Sequence, residues 1–301
     1  MKELRTEREI TDSWVYSTNE PLVSITCITF NQEPYIENTL RGFLVQKTDF
    51  PIEILIHDDA STDGTADIIR RFEKEYPNII KSILQTENQY SKKISIDSTF
   101  NYNRAKGIYI AICEGDDYWT NEHKLQQQFN FMQRRLDISF TCHNAYIHDL
   151  SNNSKYLFNK KLSTGMYTTK DLLNREWFIP TASLFIRKDA LKDLPSWIGL
   201  VRSQDLVVEI TASIQNNFWY QDELNSVYRK NAIGSISSIS EKPWNYLILR
   251  VFMMKKMFLY VPIKYRHLVV KDILLSYSKI SYLKIRYGKD KKYNRKNKIF
   301  N

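Results

Sequence analysis

The sequence predicts an α/β protein built on a mostly parallel, doubly wound sheet and followed by a helical C-terminal extension. Three observations carry that expectation. From Pro21 onward, short apolar runs alternate with amphipathic helical runs, the pattern of βαβ units. Two of the apolar runs end in acidic turns, IHDDASTDGT (Ile56 to Thr65) and EGDDYW (Glu114 to Trp119), where open α/β sheets place their ligands. The composition then changes: Glu241 to Asn301 holds 16 Lys and Arg against 3 Asp and Glu, and the rest of the chain 27 against 31. A mildly acidic body thus carries a strongly basic tail, which suits an anionic partner.

Each element has its own signal. LVSITCIT (Leu22 to Thr29) is apolar on both faces and reads as a buried parallel strand. The turn FNQEP follows, and its Pro34 suits the first turn of a helix that aligns Ile36, Leu40, Phe43 and Leu44. IEILI (Ile52 to Ile56) is the next strand, and the acidic turn leads into a helix with Ile68, Ile69 and Phe72 on one face, stopped near Pro77. IIKSILQ (Ile79 to Gln85) is expected at a sheet edge. A helix is expected over Phe100 to Lys106, and the strand IYIAIC (Ile108 to Cys113) delivers the second acidic turn. KLQQQFNFMQRRL reads as a helix and ISFTCHNAYI as a strand. Beyond Leu150 the periodicity weakens, leaving WFIPTASLFIR, a helix over Asp205 to Ile214, and FWYQDELNSVYRK.

A chain of 301 residues holds one large α/β domain or two small ones. Cys27, Cys113 and Cys142 sit in apolar runs without CxxC spacing, so a reducing compartment is expected. The start, MKELRTERE, is charged, and no signal core is expected. Tyr246 to Ile263 is hydrophobic but broken by Arg250, Lys255 and Lys256, so no membrane-spanning helix is expected. Neither GxGxxG nor GxxxxGK[ST] occurs, which argues against dinucleotide-dependent dehydrogenases and P-loop enzymes.

The second acidic turn places three carboxylates within four residues, and such groups repel one another unless a cation sits among them. Alone it reads equally as a solvated loop or a helix cap. Two such turns at the carboxyl ends of neighbouring parallel strands are expected to face one crevice. Hard oxygen ligands of this kind suit Mg²⁺ or Mn²⁺ carrying a diphosphate.

In VSITCITFNQEPYIENTL, IHDDASTDGTADII, AKGIYIAICEGDDYW, SQDLVVEI and SVYRKNAIGSIS, the chain resembles the family 2 glycosyltransferases, which have the GT-A nucleotide-diphospho-sugar fold. The resemblance covers about Pro21 to Ser238. It implies an N-terminal extension (1–20), a catalytic domain (21–238) and a basic amphipathic helical tail (239–301). Within the domain, a nucleotide-binding half spans about 21–120 and an acceptor half about 121–238. The resemblance also implies that Thr29, Phe30, Asn31 and Glu33 line the nucleotide pocket. Asp58 and Asp59 would lie beside base and ribose, where carboxylates accept hydrogen bonds from uracil N3–H and ribose hydroxyls. Asp63 reads as a cap of the following helix.

Glu114 and Asp116 stand where the two acids of the DxD motif stand; Asp116 is the foremost metal contact, and Asp117 supports it or touches the donor sugar. Glu in the first place lengthens the reach and keeps the charge. Asp205 stands in the place of the catalytic base, which takes the proton of the attacking acceptor hydroxyl. By residue type alone it serves as well as an N-cap of LVVEITASI. Arg229 is expected to pair with a phosphate, and Asn231 stands where the family commonly has His. His143 reads as a packed polar residue rather than a substitute metal ligand. Trp177 and Thr181, in WFIPTAS, resemble the acceptor loop; Trp177 either stacks on a sugar or belongs to the core.

The resemblance implies an inverting, metal-dependent hexosyl- or N-acetylhexosaminyltransferase using Mn²⁺ or Mg²⁺. Its donor would be a nucleotide-diphospho-sugar, foremost a UDP-sugar. Its acceptor would be a saccharide or lipid-linked molecule in surface-polysaccharide synthesis, reached from the inner face of a bacterial cytoplasmic membrane. In the tail, Tyr246, Leu249, Phe252, Met253, Met257 and Tyr260 recur at helical spacing with basic residues between them. Either a helix pair packs on the domain or a basic segment lies on an anionic membrane. Lys289 to Lys298 is expected to be a disordered end. A sugar nucleotidylyltransferase would need a Gly-rich phosphate loop where FNQEP stands. A nucleic-acid binder would act through the tail with salt-dependent affinity, though no nucleic-acid partner is expected. A degenerate transferase that binds a nucleotide without turnover stays open because of Asn231.

Overall fold

The computed structural model describes residues 3–288 apart from Ser17, Asn19, Glu176, 236–241 and Pro243. The expected basic end at Lys289 to Lys298 therefore lies outside the described residues.

The strands are β1 (Val23–Thr29), β2 (Ile52–Asp58), β3 (Ile80–Leu84), β4 (Tyr109–Ile112), β5 (Tyr118–Trp119), β6 (Ile138–Asp149), β7 (Ser154–Leu157), β8 (Gly165–Tyr167), β9 (Phe185–Arg187) and β10 (Asn217–Lys230). The helices are α1 (Glu7–Thr11), α2 (Glu33–Leu44), α3 (Thr65–Glu75), α4 (Tyr102–Arg104), α5 (Lys124–Arg134), α6 (Thr169–Asn174), α7 (Gln204–Gln215), α8 (Asn245–Tyr260) and α9 (Arg266–Gly288). All ten strands join one sheet in the order β3-β2-β1-β4-β9-β6-β10-β5, with β7 added beside β6 and β8 beside β10.

The sequence pattern explains the layering. Ile52, Ile54 and Ile56 of β2 point into one core with α2, α3 and α5, while Leu55 points into the other. Tyr109 and Ala111 of β4 likewise oppose Ile110 and Ile112. Because both faces are covered, these strands read as continuous apolar runs instead of alternating ones. Each fully buried Ile or Phe contributes about 2 kcal/mol of transfer free energy, so the two cores fix the sheet's register.

The parallel expectation holds for β3, β2, β1 and β4. Past β4 the sheet is mixed: β9 runs antiparallel to both β4 and β6, and β6 and β10 are parallel to each other. One correction bears on the site. The strands carrying the two acidic turns, β2 and β4, are not adjacent; each flanks β1. Both turns still emerge at the same edge, because all three strands are parallel. A second correction concerns 97–104, where one wide helical turn over Asp97–Asn101 precedes the short α4, in place of a helix over Phe100 to Lys106.

The chain before β1 packs against the segment that follows α3. Ile10 is buried, and the Glu7 carboxylate accepts the N–H groups of Asn78 and Ile79. At the other end α8 and α9 pair, and the tail residues divide between two faces. Met253 and Met257 enter the core with Val251 and Met254, whereas Tyr246, Leu249 and Phe252 stay exposed. A two-pronged Arg250–Asp272 ion pair (2.6 Å) ties the two helices together.

Candidate functional site

A cavity of about 810 Å³ opens at the carboxyl ends of β1 and β4, within the size range of small-molecule sites. Thr29 and Phe30 line it from the first loop, Asp59 from the second, Glu114 and Asp116 from the third. Trp177, Thr181 and Asp205 line it from the other half of the chain.

The first acidic turn is held by its own hydrogen bonds. Asp58 accepts from the Ser61 N–H (3.1 Å) and from the Ser61 hydroxyl, closing the turn on itself. Asp59 accepts the N–H groups of Gln89 (2.7 Å) and Tyr90 (3.0 Å). Burial pushes its carboxyl up, but His57 and these two N–H groups together bring it below the ordinary Asp value. Asp63 accepts from the Thr65 N–H (3.1 Å) and hydroxyl (2.6 Å) at the start of α3, and from the Glu33 N–H (3.1 Å). Glu33 in return accepts the Gly64 N–H (2.9 Å). Asn31, with φ of 50°, accepts the Thr62 N–H (2.7 Å). Glu33, Asn31 and Asp58 thus lock two loops together, and none of them lines the cavity.

The second acidic turn is supported from behind. Gly115 is required by close approach: a Cβ there would lie 2.5 Å from Gln32 Oε1 and 2.7 Å from Thr29 Oγ1. Thr39 reaches the carbonyls of Gly115 (2.8 Å) and Asp117 (2.5 Å). Arg229 lies between the rings of Tyr118 (4.4 Å) and Tyr35 (5.2 Å). Its guanidinium donates to the Asp116 carbonyl (2.6 Å) and to Asn38 (2.6 Å), and its N–H donates to the Asp117 carboxylate (2.8 Å). Arg229 and Asp117 therefore stand behind the turn, outside the cavity lining. Register shifts in β10 at 221–226, just before Arg229, re-aim this part of the strand.

The carboxylates in front behave differently. Asp116 is buried, touched by Gln32 and Ser235, and pushed up to about 6 by burial against the pull of those contacts and Arg229. Glu114 is exposed to the cavity yet lies deep in the protein. Burial, then the charges of Asp116, Asp205 and Asp97, push its carboxyl upward. Among the described residues neither acid has a salt-bridge partner, and no cluster of three or more metal-binding side chains occurs. Two unneutralised carboxylates fit Mg²⁺ or Mn²⁺ held by one or two protein oxygens plus a diphosphate.

Across the cavity, Asp205 sits in the first turn of α7, lining the same wall as Trp177. Burial raises Asp205, and the N–H groups of Leu206 and of Asp205 itself, with Trp177, oppose the rise. Trp177 packs edge-on against Phe158 (4.6 Å) and Tyr228 (5.3 Å) while 42% exposed, so it is neither core nor free surface. Asn231 bonds Asp149 (2.8 Å), and His143 is fully buried and pushed down to about 3 by burial and the nearby Lys124 charge. Beside these, Gly234 (φ +78°) presses on the first loop, where a Cβ would lie 2.2 Å from the Phe30 carbonyl.

Some lining residues were not assigned to the site from the sequence. Asp97 comes from the wide turn, Glu209 from α7, and Tyr246 and Arg250 from α8. Glu209 had a signal: it follows Asp205 by four residues, which puts both carboxylates on one helical face. Asp97 had none, lying in a polar stretch without periodicity.

Comparison with known proteins gives four findings. Residues 24–194 match the family described as Glycosyl transferase family 2. An uncharacterized protein of Mycobacterium tuberculosis is 32% identical over 217 residues, covering 70% of this chain and 60% of that one, so the chain spans about 60% of the length of such relatives. The UDP-Glc:alpha-D-GlcNAc-diphosphoundecaprenol beta-1,3-glucosyltransferase WfaP of Escherichia coli is 36% identical over 126 residues (42% of this chain, 47% of that one). Among solved structures, S. aureus TarS 1-349 in complex with UDP-GlcNAc matches with a TM-score of 0.63 at 18% identity, over 84% of this chain and 72% of that one, a likeness of fold.

Proposed function

Because the chain belongs to glycosyl transferase family 2, we propose that it is an inverting, metal-dependent glycosyltransferase acting on a nucleotide-diphospho-sugar, foremost a UDP-sugar. The observation that carries this reading is one cavity bounded by Thr29, Phe30 and the unneutralised Glu114–Asp116 pair on one side and by Asp205 with Trp177 on the other.

In this reading Asp59 and the first loop receive the nucleoside, and Asp116 with Glu114 would hold a divalent cation. That cation, when bound, offsets charge growing on the leaving diphosphate. Asp205 takes the proton of the acceptor hydroxyl as it attacks the anomeric carbon, and the Trp177 indole favours the charged carboxylate this needs. Attack from the side opposite the leaving group inverts the anomeric centre. Thr181 and Trp177 border the acceptor's approach, with the exposed indole available for stacking on a sugar ring. Arg229 is better suited to holding the acidic turn than to pairing with phosphate, since its guanidinium is already committed to Asp116 and Asn38. The acceptor is a saccharide or lipid-linked saccharide of surface-polysaccharide synthesis, met at the inner face of a bacterial membrane. The printed name of WfaP, which acts on a diphosphoundecaprenol-linked sugar, supports that class.

Calorimetric titration with UDP, GDP and dTDP, each with Mn²⁺ and with EDTA, tests the donor side on wild type and Asp116→Ala. UDP binding that needs the metal and disappears in the variant is expected. Metal-dependent preference for GDP or dTDP would change the donor and keep the rest; no binding of any nucleotide would overturn the reading.

A further inference from the structure

The helix pair α8–α9 presents an apolar, cation-flanked face on the side away from the cavity. In α8, Ile248, Phe252 and Leu259 share the outer face, and Lys255 and Lys256 stand on either side of them by helical spacing. Leu259 is 75% exposed, Ile263 at the connection 79%, and Leu274 of α9 63%. Val270, Leu275, Tyr282 and Ile285 extend the exposed apolar set along α9. Single exposed apolar residues are ordinary and occur elsewhere in the chain, but a run of them along two neighbouring helices is not.

Charge selects the occupant. Residues 242–288 contain ten Lys and Arg against one acid, Asp272, and that acid is already bound by Arg250. A second copy of the chain would oppose like charges across such a face, which disfavours self-association. No helix among the described residues is long and apolar enough to cross a membrane. An exposed helix face with Phe and Leu in its stripe and Lys beside it suits the interface of an anionic bilayer.

We propose that the outer face of α8, continued by Ile263 and α9, docks the protein in-plane on an anionic lipid bilayer. The same helix then serves two surfaces, since its inner side sends Tyr246 and Arg250 to the cavity wall while its outer side meets lipid headgroups and acyl chains. Docking through α8 thereby sets the cavity beside the bilayer surface, where a lipid-linked acceptor is presented. The acceptor clause rests on the transferase reading above; docking itself does not, and is tested without turnover.

The test is cosedimentation of the full chain with vesicles of phosphatidylcholine containing phosphatidylglycerol, against vesicles of phosphatidylcholine alone. Wild type is expected to bind the anionic vesicles and to be weakened by salt. Phe252→Ser with Leu259→Ser, and separately Lys255→Glu with Lys256→Glu, are each expected to reduce binding by about tenfold or more. These positions are exposed, so thermal melting and nucleotide binding are expected to stay at wild-type values. The proposal is overturned if wild type ignores anionic vesicles at low salt or if both double variants bind as wild type does. It is equally overturned if light scattering finds a dimer that Phe252→Ser with Leu259→Ser dissociates.

Discussion

The two acidic turns have much the same sequence setting and opposite fates. Each follows a buried parallel strand, and each begins with carboxylates beside small residues. In the first, Asp58, Asp59 and Asp63 all accept backbone N–H groups at 2.7 to 3.1 Å. In the second, the backbone of Asp116 and the carboxylate of Asp117 are held by Arg229, while the side chains of Asp116 and Glu114 project into the cavity under mutual repulsion. Each N–H that a carboxylate accepts favours its charged form and fixes its place, so the first turn holds its own shape while Asp59 also lines the cavity. A carboxylate held near another without a cation is an arrangement that a ligand completes. Adjacent acids in a sequence do not distinguish these outcomes; their partners do.

The largest expected effect separates the turns by activity. Asp116→Asn and Asp205→Asn are each expected to lower turnover about 10³-fold or more without lowering the melting temperature, read by nucleotide release from the donor. Unchanged turnover in either variant would remove that carboxylate from the chemistry. Arg229→Leu comes next, because it leaves the Asp116 carbonyl and Asn38 without their donor. It is expected to lose about 2 kcal/mol of stability and about tenfold in donor affinity. If stability alone moved, the link between the guanidinium and the geometry of the turn would fail.

Asp63→Ala probes the first turn and should behave conversely. Loss of its contacts to Thr65 and Glu33 is expected to cost about 1.5 kcal/mol in denaturant unfolding, with nucleotide affinity within about twofold of wild type. A large loss of affinity would break the contrast between the turns.

The smallest effect is pH-dependent. Burial pushes Asp97 up to about 6, against the pull of Asn101, His57 and Arg104. A carboxyl whose folded pKa lies above its unfolded value stabilises the fold below the unfolded pKa, and that contribution is lost as pH rises through the folded one. Asp97→Asn is therefore expected to stabilise the metal-free protein above about pH 6 by ~1 kcal/mol, seen as a higher melting temperature, and to leave it unchanged near pH 4. A melting series across that range decides it, and an equal shift at both ends would attribute the effect to packing.

Local patterns determined the sequence-level part of this protein. Runs such as IEILI and the helical spacing of Ile36, Leu40 and Phe43 specify strands and helices, because each segment must bury its apolar face somewhere. The places of the acidic turns and of the basic tail follow from the same local record. Only the tertiary structure decided what the carboxylates do. Arg229 meets Asp116 across 113 residues of chain, Trp177 meets Asp205 from a separate loop, and β9 enters the sheet antiparallel between β4 and β6. Asp97 and the inner face of α8 reach the cavity the same way, by packing of distant segments. Hydrogen-bond partners and burial are properties of the packed neighbourhood, so they set which acid braces a turn and which faces the cavity.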